Sequence, residues 1–161
     1  MPVNEHSISI VAATAADAGE TMTVQRAAYV SEAQLYDNPM FTALTETLDD
    51  VRAAIATGGV LIARHGTRLV GAVRGQLVDD ACEVGRLVVA PDMQRRGIGA
   101  TLLAAIETRF AAAHRFVLHT GDRSAANLRL YERVGYTRSR IEPIADTVSL
   151  VYLEKPGQRI R

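Results

Sequence analysis

The chain has 161 residues, enough for one domain that buries about two thirds of the surface its unfolded form exposes. Its 18 Lys+Arg balance its 18 Asp+Glu, so no global field draws it to nucleic acid or anionic lipid, and any anion site has to be local. A lone cysteine, Cys82, excludes an internal disulfide and fits a reducing compartment. With no basic-then-apolar leader and no run near the roughly 18 apolar residues of a membrane span, the expectation is a soluble, cytoplasmic protein without membrane contact.

No repeat, low-complexity tract or Pro/Gly/Ser linker divides the sequence, so a single domain is expected over 1–161. SISIVAA (7–13) reads as a first strand, and the Ala-rich stretch from Ala15 to about Tyr36 as a helix, broken by Asp37, Asn38 and Pro39. Leu48, Val51, Ala54 and Ile55 have helical spacing behind a Thr45 or Thr47 cap. VLIARHGTRLVGAVRGQLV reads as a hairpin, with strands 60–65 and 68–78, and Asp79 and Asp80 turn the chain into the strand ACEVGRLVV. A helix follows from about Gly97 to Ala113, then the strand RFVLHT, then a helix from Ser124 to Val134 closed by Gly135. TRSRIEP and VSLVYLEK alternate as antiparallel strands. The order β-α-α-β-β-β-α-β-α-β-β predicts an α/β (α+β) fold with a mixed, mostly antiparallel sheet flanked by helices.

The strand ACEVGRLVV is informative in its parity. An unbroken period of two mixes charge and apolar residues on both faces. A β-bulge at Gly85 instead gives one apolar face, with Cys82, Val84, Leu87 and Val89, and another with Glu83, Arg86 and Val88. A bulge also frees backbone groups for an extended ligand beside the strand.

After this strand comes APDMQRRGIGATLLAAIE. A helix N-terminus carries unpaired N–H donors and a partial positive charge; Gly97 and Gly99 let an anion approach, and Arg95 and Arg96 add bidentate donors suited to phosphate. The arrangement reads as a pyrophosphate cradle. A Walker A loop is excluded because the chain has no Gly-Lys pair. A dinucleotide fingerprint fits poorly, because its glycines should follow the strand directly and its third glycine position is Leu102, although Asp122 would serve as the ribose acid.

QRRGIG, between a strand ending in VVAP and an amphipathic helix, resembles the acyl-CoA-binding motif [QR]-x-x-G-x-[GA] of the GNAT superfamily of N-acyltransferases, matched from Gln94 to Gly99. NLRLYERVGY resembles the family's second motif, and the element order is similar to the family's. The resemblance covers about Val60 to Tyr136 and is topological over the N-terminal helices. It implies the GNAT fold, and an acetyl-CoA-dependent N-acetyltransferase acting on a primary amine of a small molecule or amino-acid-like acceptor by direct attack in a ternary complex. It assigns the backbone of Leu87, Val88 and Val89 to the pantetheine arm. Gln94, Arg95, Arg96, Gly97, Ile98, Gly99, Ala100 and Thr101 fall to the pyrophosphate. Asn127 is assigned a pantetheine contact, and Tyr131, on the same helix face four residues on, a place beside the thioester sulfur. No metal is implied.

Deprotonation is the chemical problem, since an alkylamine of pKa about 10.4 is about one part in a thousand free base at pH 7. Glu83, on the polar side of the strand, is the first candidate base, acting through water, and His119 the second. A tyrosine of pKa about 10 is a weaker acid than a thiol of about 8.5, so Tyr131 is expected to stabilise the thiolate chiefly as a hydrogen-bond donor. Cys82, on the apolar parity, is disfavoured as a nucleophile. Acceptor specificity is expected from 29–48 through Tyr29, Tyr36 and Phe41, with Asp37 or Asp50 available to attract a cationic amine. A catalytically silent acyl-CoA-binding module and a nucleotide binder stay open as alternatives. A homodimer pairing through VSLVYLEK is a further expectation.

Overall fold

The computed structural model describes residues 7–158; the remaining ends of the expected domain, His6 among them, lie outside the described residues. ISIVA forms β1 (Ile8–Ala12). A 3-10 turn at Ala15–Asp17 leads into α1 (Ala18–Leu35), and the Thr14 N–H donates to Asp17 Oδ2 at 2.8 Å to start it. The expected loop after Pro39 contains one more helical turn, α2 (Thr42–Thr45), because the Phe41 carbonyl accepts from both Leu44 and Thr45 N–H. Of the two threonines offered as caps, Thr47 starts α3 (Leu48–Ala56): its Oγ1 accepts the Asp50 N–H, and Asp50 Oδ2 accepts the Thr47 N–H.

The hairpin forms as β2 (Val60–His65) and β3 (Arg68–Val78), followed by β4 (Ala81–Val89). Another 3-10 turn at Pro91–Met93 precedes α4 (Ile98–Arg109). This helix is four residues shorter than its Ala-rich sequence allows. Phe110 leaves helical dihedrals, and its ring comes so close over β3 that a Cβ at Gly75 would lie 2.6 Å from it. β5 (Arg115–Gly121), α5 (Ala125–Arg133), β6 (Thr137–Ala145) and β7 (Val148–Pro156) complete the described chain.

The strands make one seven-stranded sheet in the order β1-β2-β3-β4-β5-β7-β6, antiparallel throughout except for β4–β5. On one face Cys82, Val84, Phe116 and Leu153 bury against Leu102, Leu103 and Ile106 of α4 and Leu128 of α5. On the other, Ile62, Ala72 and Val88 bury against Ala18 of α1 and Val51 and Ile55 of α3. β7 is hydrogen-bonded on both sides, to β5 and β6, so VSLVYLEK is an interior strand and offers no edge to a second chain; the edge belongs to β6.

The β2–β3 junction is tight at Gly59, whose carbonyl accepts the Gly75 N–H at 2.8 Å while an added Cβ would sit 2.2 Å from the Gly75 carbonyl oxygen. Backbone cannot swing aside as a side chain can. Gly59→Ala is expected to cost about 2 kcal/mol and to lower Tm by roughly 4–8 °C in a thermal melt.

Candidate active site

β4 and β5 share only three parallel pairs, Ala81 with Arg115, Cys82 with Phe116 and Glu83 with Val117, and then diverge. From Val84 onward the β5 side of β4 has no strand partner among the described residues. β4 is also bulged. Gly85 pairs with Arg74 and Val88 with Ala72, so Arg86 and Leu87 together face the single residue Val73. The bulge therefore falls one residue past Gly85, on Arg86, which takes a positive φ of 48°. The parity is the one expected for a bulge: Leu87 and Val89 join the Cys82 and Val84 face, and Val88 joins the opposite core.

What holds an arginine in a left-handed conformation is a carboxylate the sequence pattern did not single out. Glu46, between α2 and α3, accepts from Arg86 Nε and Nη2 at 3.2 and 3.0 Å and from Arg74 Nη1 and Nη2 at 2.9 and 2.7 Å. Gln25 Nε2 adds a bond of 2.9 Å from α1. Burial opposes the charged form of Glu46, but the hydrogen bonds of Arg74 and Gln25, with the charges of both guanidiniums, outweigh it and bring the pKa down to about 2.

The motif after β4 folds as a cradle on the sheet face that carries α4 and α5. Gly97 caps α4 with φ of 79°, and Arg95 is also left-handed at 63°. The first helical bond runs from the Thr101 N–H to the Gly97 carbonyl, so the N–H groups of Ile98, Gly99 and Ala100 have no acceptor inside the helix. A Cβ on Gly97 would meet nothing within 4 Å, so that position faces open space. Gly99 differs: its Cβ would press on Leu130 Cδ2 at 3.2 Å, and its smallness admits α5. The Ile98 side chain is core, leaving only its backbone for a ligand. Arg95 and Arg96 are exposed, and Gln94 Nε2 donates to the Val89 carbonyl at 3.3 Å, bracing the loop against the end of β4.

On the opposite face, where β4 and β5 part, opens a cleft of about 560 Å³ whose lining includes Glu83, Arg86, His119, Arg140 and Tyr152. The Glu83 carboxylate makes no hydrogen bond or ion pair among the described residues, because Arg86 is engaged by Glu46. His119 sits on β5 with its ring 5.3 Å from that of Tyr152. Its pKa is lowered, first by desolvation and then by the Arg86 charge, with Glu83 pulling the other way.

Tyr131 is buried on α5, its ring 6.2 Å from that of Tyr136, and its hydroxyl has no partner among the described residues. Burial, with help from Tyr29 and Glu32, raises its pKa well above the usual tyrosine range, which makes it a poor proton source but leaves it a good hydrogen-bond donor. Asn127, one turn earlier, donates to Thr120 Oγ1 on β5 at 3.3 Å. Tyr29, on α1, packs against the core cluster that holds Ala72 and Val88, and burial raises its pKa. Cys82 is fully buried, and desolvation raises its thiol to about 11, which leaves it inert.

Two of the aromatics expected to contact an acceptor, Tyr36 and Phe41, do not line the cleft. Tyr36 Oη is 2.8 Å from Ser124 Oγ and accepts the Arg123 N–H at 3.0 Å, fastening the end of α1 to the start of α5. Phe41 packs edge-on against it at 5.9 Å. Nor do the expected acids face the cleft: Asp50 belongs to the α3 cap, and Asp37 lines a separate groove with Val30 and Leu44. The residues that do line it and were missed include Arg74, Arg140 and Tyr152. Arg140 and Tyr152 come from β6 and β7, whose place beside β5 depends on a sheet order that alternation alone does not encode.

A strand parted from its neighbour, a glycine-capped helix after it and a cleft behind the split are brought together in one site. The sequence profile of the acetyltransferase (GNAT) family matches residues 28–136, more than half of the chain, and the protein belongs to that family. Similar solved structures include the ribosomal-protein-S18-alanine N-acetyltransferase from Escherichia coli, at 16% identity and TM-score 0.78 over 96% of this chain and 97% of that one. PaiA N-acetyltransferase from Thermoplasma acidophilum, in complex with coenzyme A, is 16% identical with TM-score 0.76 over 93% and 99%. YncA from Salmonella typhimurium, with its cofactor acetyl-CoA, is 18% identical with TM-score 0.77 over 96% and 96%. No curated protein matches the chain. Among the described residues no cluster of three or more His, Cys, Asp or Glu is arranged to hold a metal ion, and no helix is long and apolar enough to cross a membrane.

The pH dependence of the Glu46 cluster is calculable in sign. Its folded pKa of about 2 lies below its ordinary 4.5, so its stabilisation is complete above about 4.5 and fades as pH falls toward 2. Thermal melts should show Glu46→Gln below the parent in Tm at pH 7, with the gap closing between about pH 5 and 2. A gap of constant size would mean that the charge on Glu46 is not what holds the bulge.

Proposed function

We propose that the protein is an acetyl-CoA-dependent N-acetyltransferase that acetylates a primary amine of a small molecule or amino-acid-like acceptor by direct attack in a ternary complex, in a reducing cytoplasm. The observation that carries this reading is the released edge of β4, with a cradle of helix N–H groups on one side of the sheet and an open carboxylate, Glu83, on the other.

The residues present fit the donor substrate. The N–H groups of Ile98, Gly99 and Ala100, with Arg95 and Arg96, would hold its pyrophosphate, and the open Gly97 leaves room for it. The β4 edge at Leu87, Val88 and Val89, which no strand covers and where the Val89 carbonyl accepts from the Gln94 side chain, suits the amide groups of the pantetheine arm, and Asn127 flanks that path. Bound there, the thioester supplies an activated acetyl group. Glu83 takes the proton from the acceptor ammonium, directly or through one water, at a carboxylate no other side chain occupies. Tyr131 donates a hydrogen bond to the departing sulfur without giving up its proton, as its raised pKa requires. His119 lines the same cleft and, with its pKa lowered, stays neutral at pH 7, able to relay a proton or orient the amine.

The first experiment is a thermal-shift titration with acetyl-CoA, run beside ATP and NAD. At about 100 times Kd, acetyl-CoA should add roughly 2.7 kcal/mol, a rise of about 5–11 °C. A shift with NAD or ATP instead would transfer the cradle to a nucleotide. Glu83→Gln and Tyr131→Phe should keep the acetyl-CoA shift while turnover falls about 100-fold or more. Binding without turnover for every amine class would favour a silent acyl-CoA-binding module.

A further inference from the structure

The charges around the cleft do not suit a simple amine. Its lining carries three guanidiniums, Arg74, Arg86 and Arg140, against the one carboxylate of Glu83. Glu46 compensates Arg74 and half of Arg86 from behind, its oxygens filled by five side-chain hydrogen bonds. Arg86 spends Nε and Nη2 on Glu46, and its Nη1 has no partner among the described residues. Arg140 gives Nη1 to Glu142 at 3.0 Å and lies over the Tyr152 ring at 3.7 Å, so Nε and Nη2 remain for a ligand and the stacked ring fixes the plane of the fork.

These groups converge. The His119 imidazole on β5 feels Arg86, Glu83, Glu142 and Arg140 together, which puts charges from β4 and β6 around one ring. On β4, the bulge brings Glu83 and Arg86 to the same side of the strand, with Val84 and Gly85 between them and the Val84 side chain in the core on the other face. An acceptor whose ammonium faces Glu83 thus presents whatever lies a few bonds away to unfilled guanidinium donors. A polyamine would set its second cation against those arginines, and a plain alkylamine would leave them unused.

We propose that the acceptor is an amine that also carries a carboxylate, held by Arg86 and Arg140 while Glu83 faces the amine. This rests on the reading of the cleft as the acceptor side of an N-acetyltransferase. The carboxylate makes charge-assisted bonds to Arg86 Nη1 and to the free edge of Arg140, fixing the amine beside Glu83.

The test is a matched panel: free amino acids, the same compounds as carboxamides, the corresponding decarboxylated amines, and a polyamine. Acetylation is assayed with acetyl-CoA, and binding is measured by calorimetry on CoA-loaded protein. The acids should exceed their amides by about 100-fold in kcat/KM. Arg140→Ala, on a strand exposed along its length, should cost the acids about 10- to 100-fold and leave the amides nearly unchanged; Arg86→Lys should act in the same direction. Amides equal to acids, a preference for polyamines, or equal losses for both classes in Arg140→Ala would overturn the carboxylate subsite. So would a protein that acetyl-CoA stabilises but that neither binds nor acetylates any acid, an outcome that leaves the donor reading standing. Absence of any acetyl-CoA stabilisation would bring down both.

Discussion

Two parallel strands can share a ladder only while they stay about 4.8 Å apart, and β4 and β5 do so for three residues. Everything else in the site follows from their separation. Among the described residues the split is where two neighbouring strands part and where the cradle face joins the cleft face; the other neighbours stay hydrogen-bonded along their ladders. It also leaves one edge of β4 without a ladder partner, and an edge of that kind can pair with a ligand that carries amide groups of its own.

A strand parted from one neighbour needs to be held by the other. Glu46 does this electrostatically, binding Arg74 on β3 and Arg86 on the β4 bulge into one cluster and tying both to α1 through Gln25. Two guanidiniums against one carboxylate is a deliberate imbalance in a chain of zero net charge. Arg74 and Arg86 both line the cleft, so the cluster that shapes the strand also places guanidiniums along the cleft wall.

The helices divide the work by face. α4 and α5 belong to the cradle face, where Gly99 lets them approach closely enough for Leu130 to pack on it. α1 belongs to the cleft face, yet its C-terminus reaches across through Tyr36 to Ser124, immediately ahead of α5. Gly121 makes that reach possible: any Cβ there would collide with the Tyr36 ring. The helix that carries Tyr131 is thus positioned from both faces of the sheet.

Local signals in the sequence were strong where the governing physics is local. Apolar runs and alternation marked the strands, a Thr45 or Thr47 cap and Gly135 marked helix ends, and QRRGIG marked the cradle, because capping, pleat parity and the N–H groups of a helix terminus all involve residues within a few positions. The clash of parities in ACEVGRLVV even betrayed the bulge, though not that an arginine would bear it. What tertiary structure decided is long-range. That Glu46 meets Arg86 forty residues away, that β7 inserts between β5 and β6 and brings Tyr152 and Arg140 to His119, and that Tyr36 is a strut between helices depend on strand order and on which charges are buried together. No spacing rule reports those pairings, since their energy arises only once distant segments have shed water in the same place.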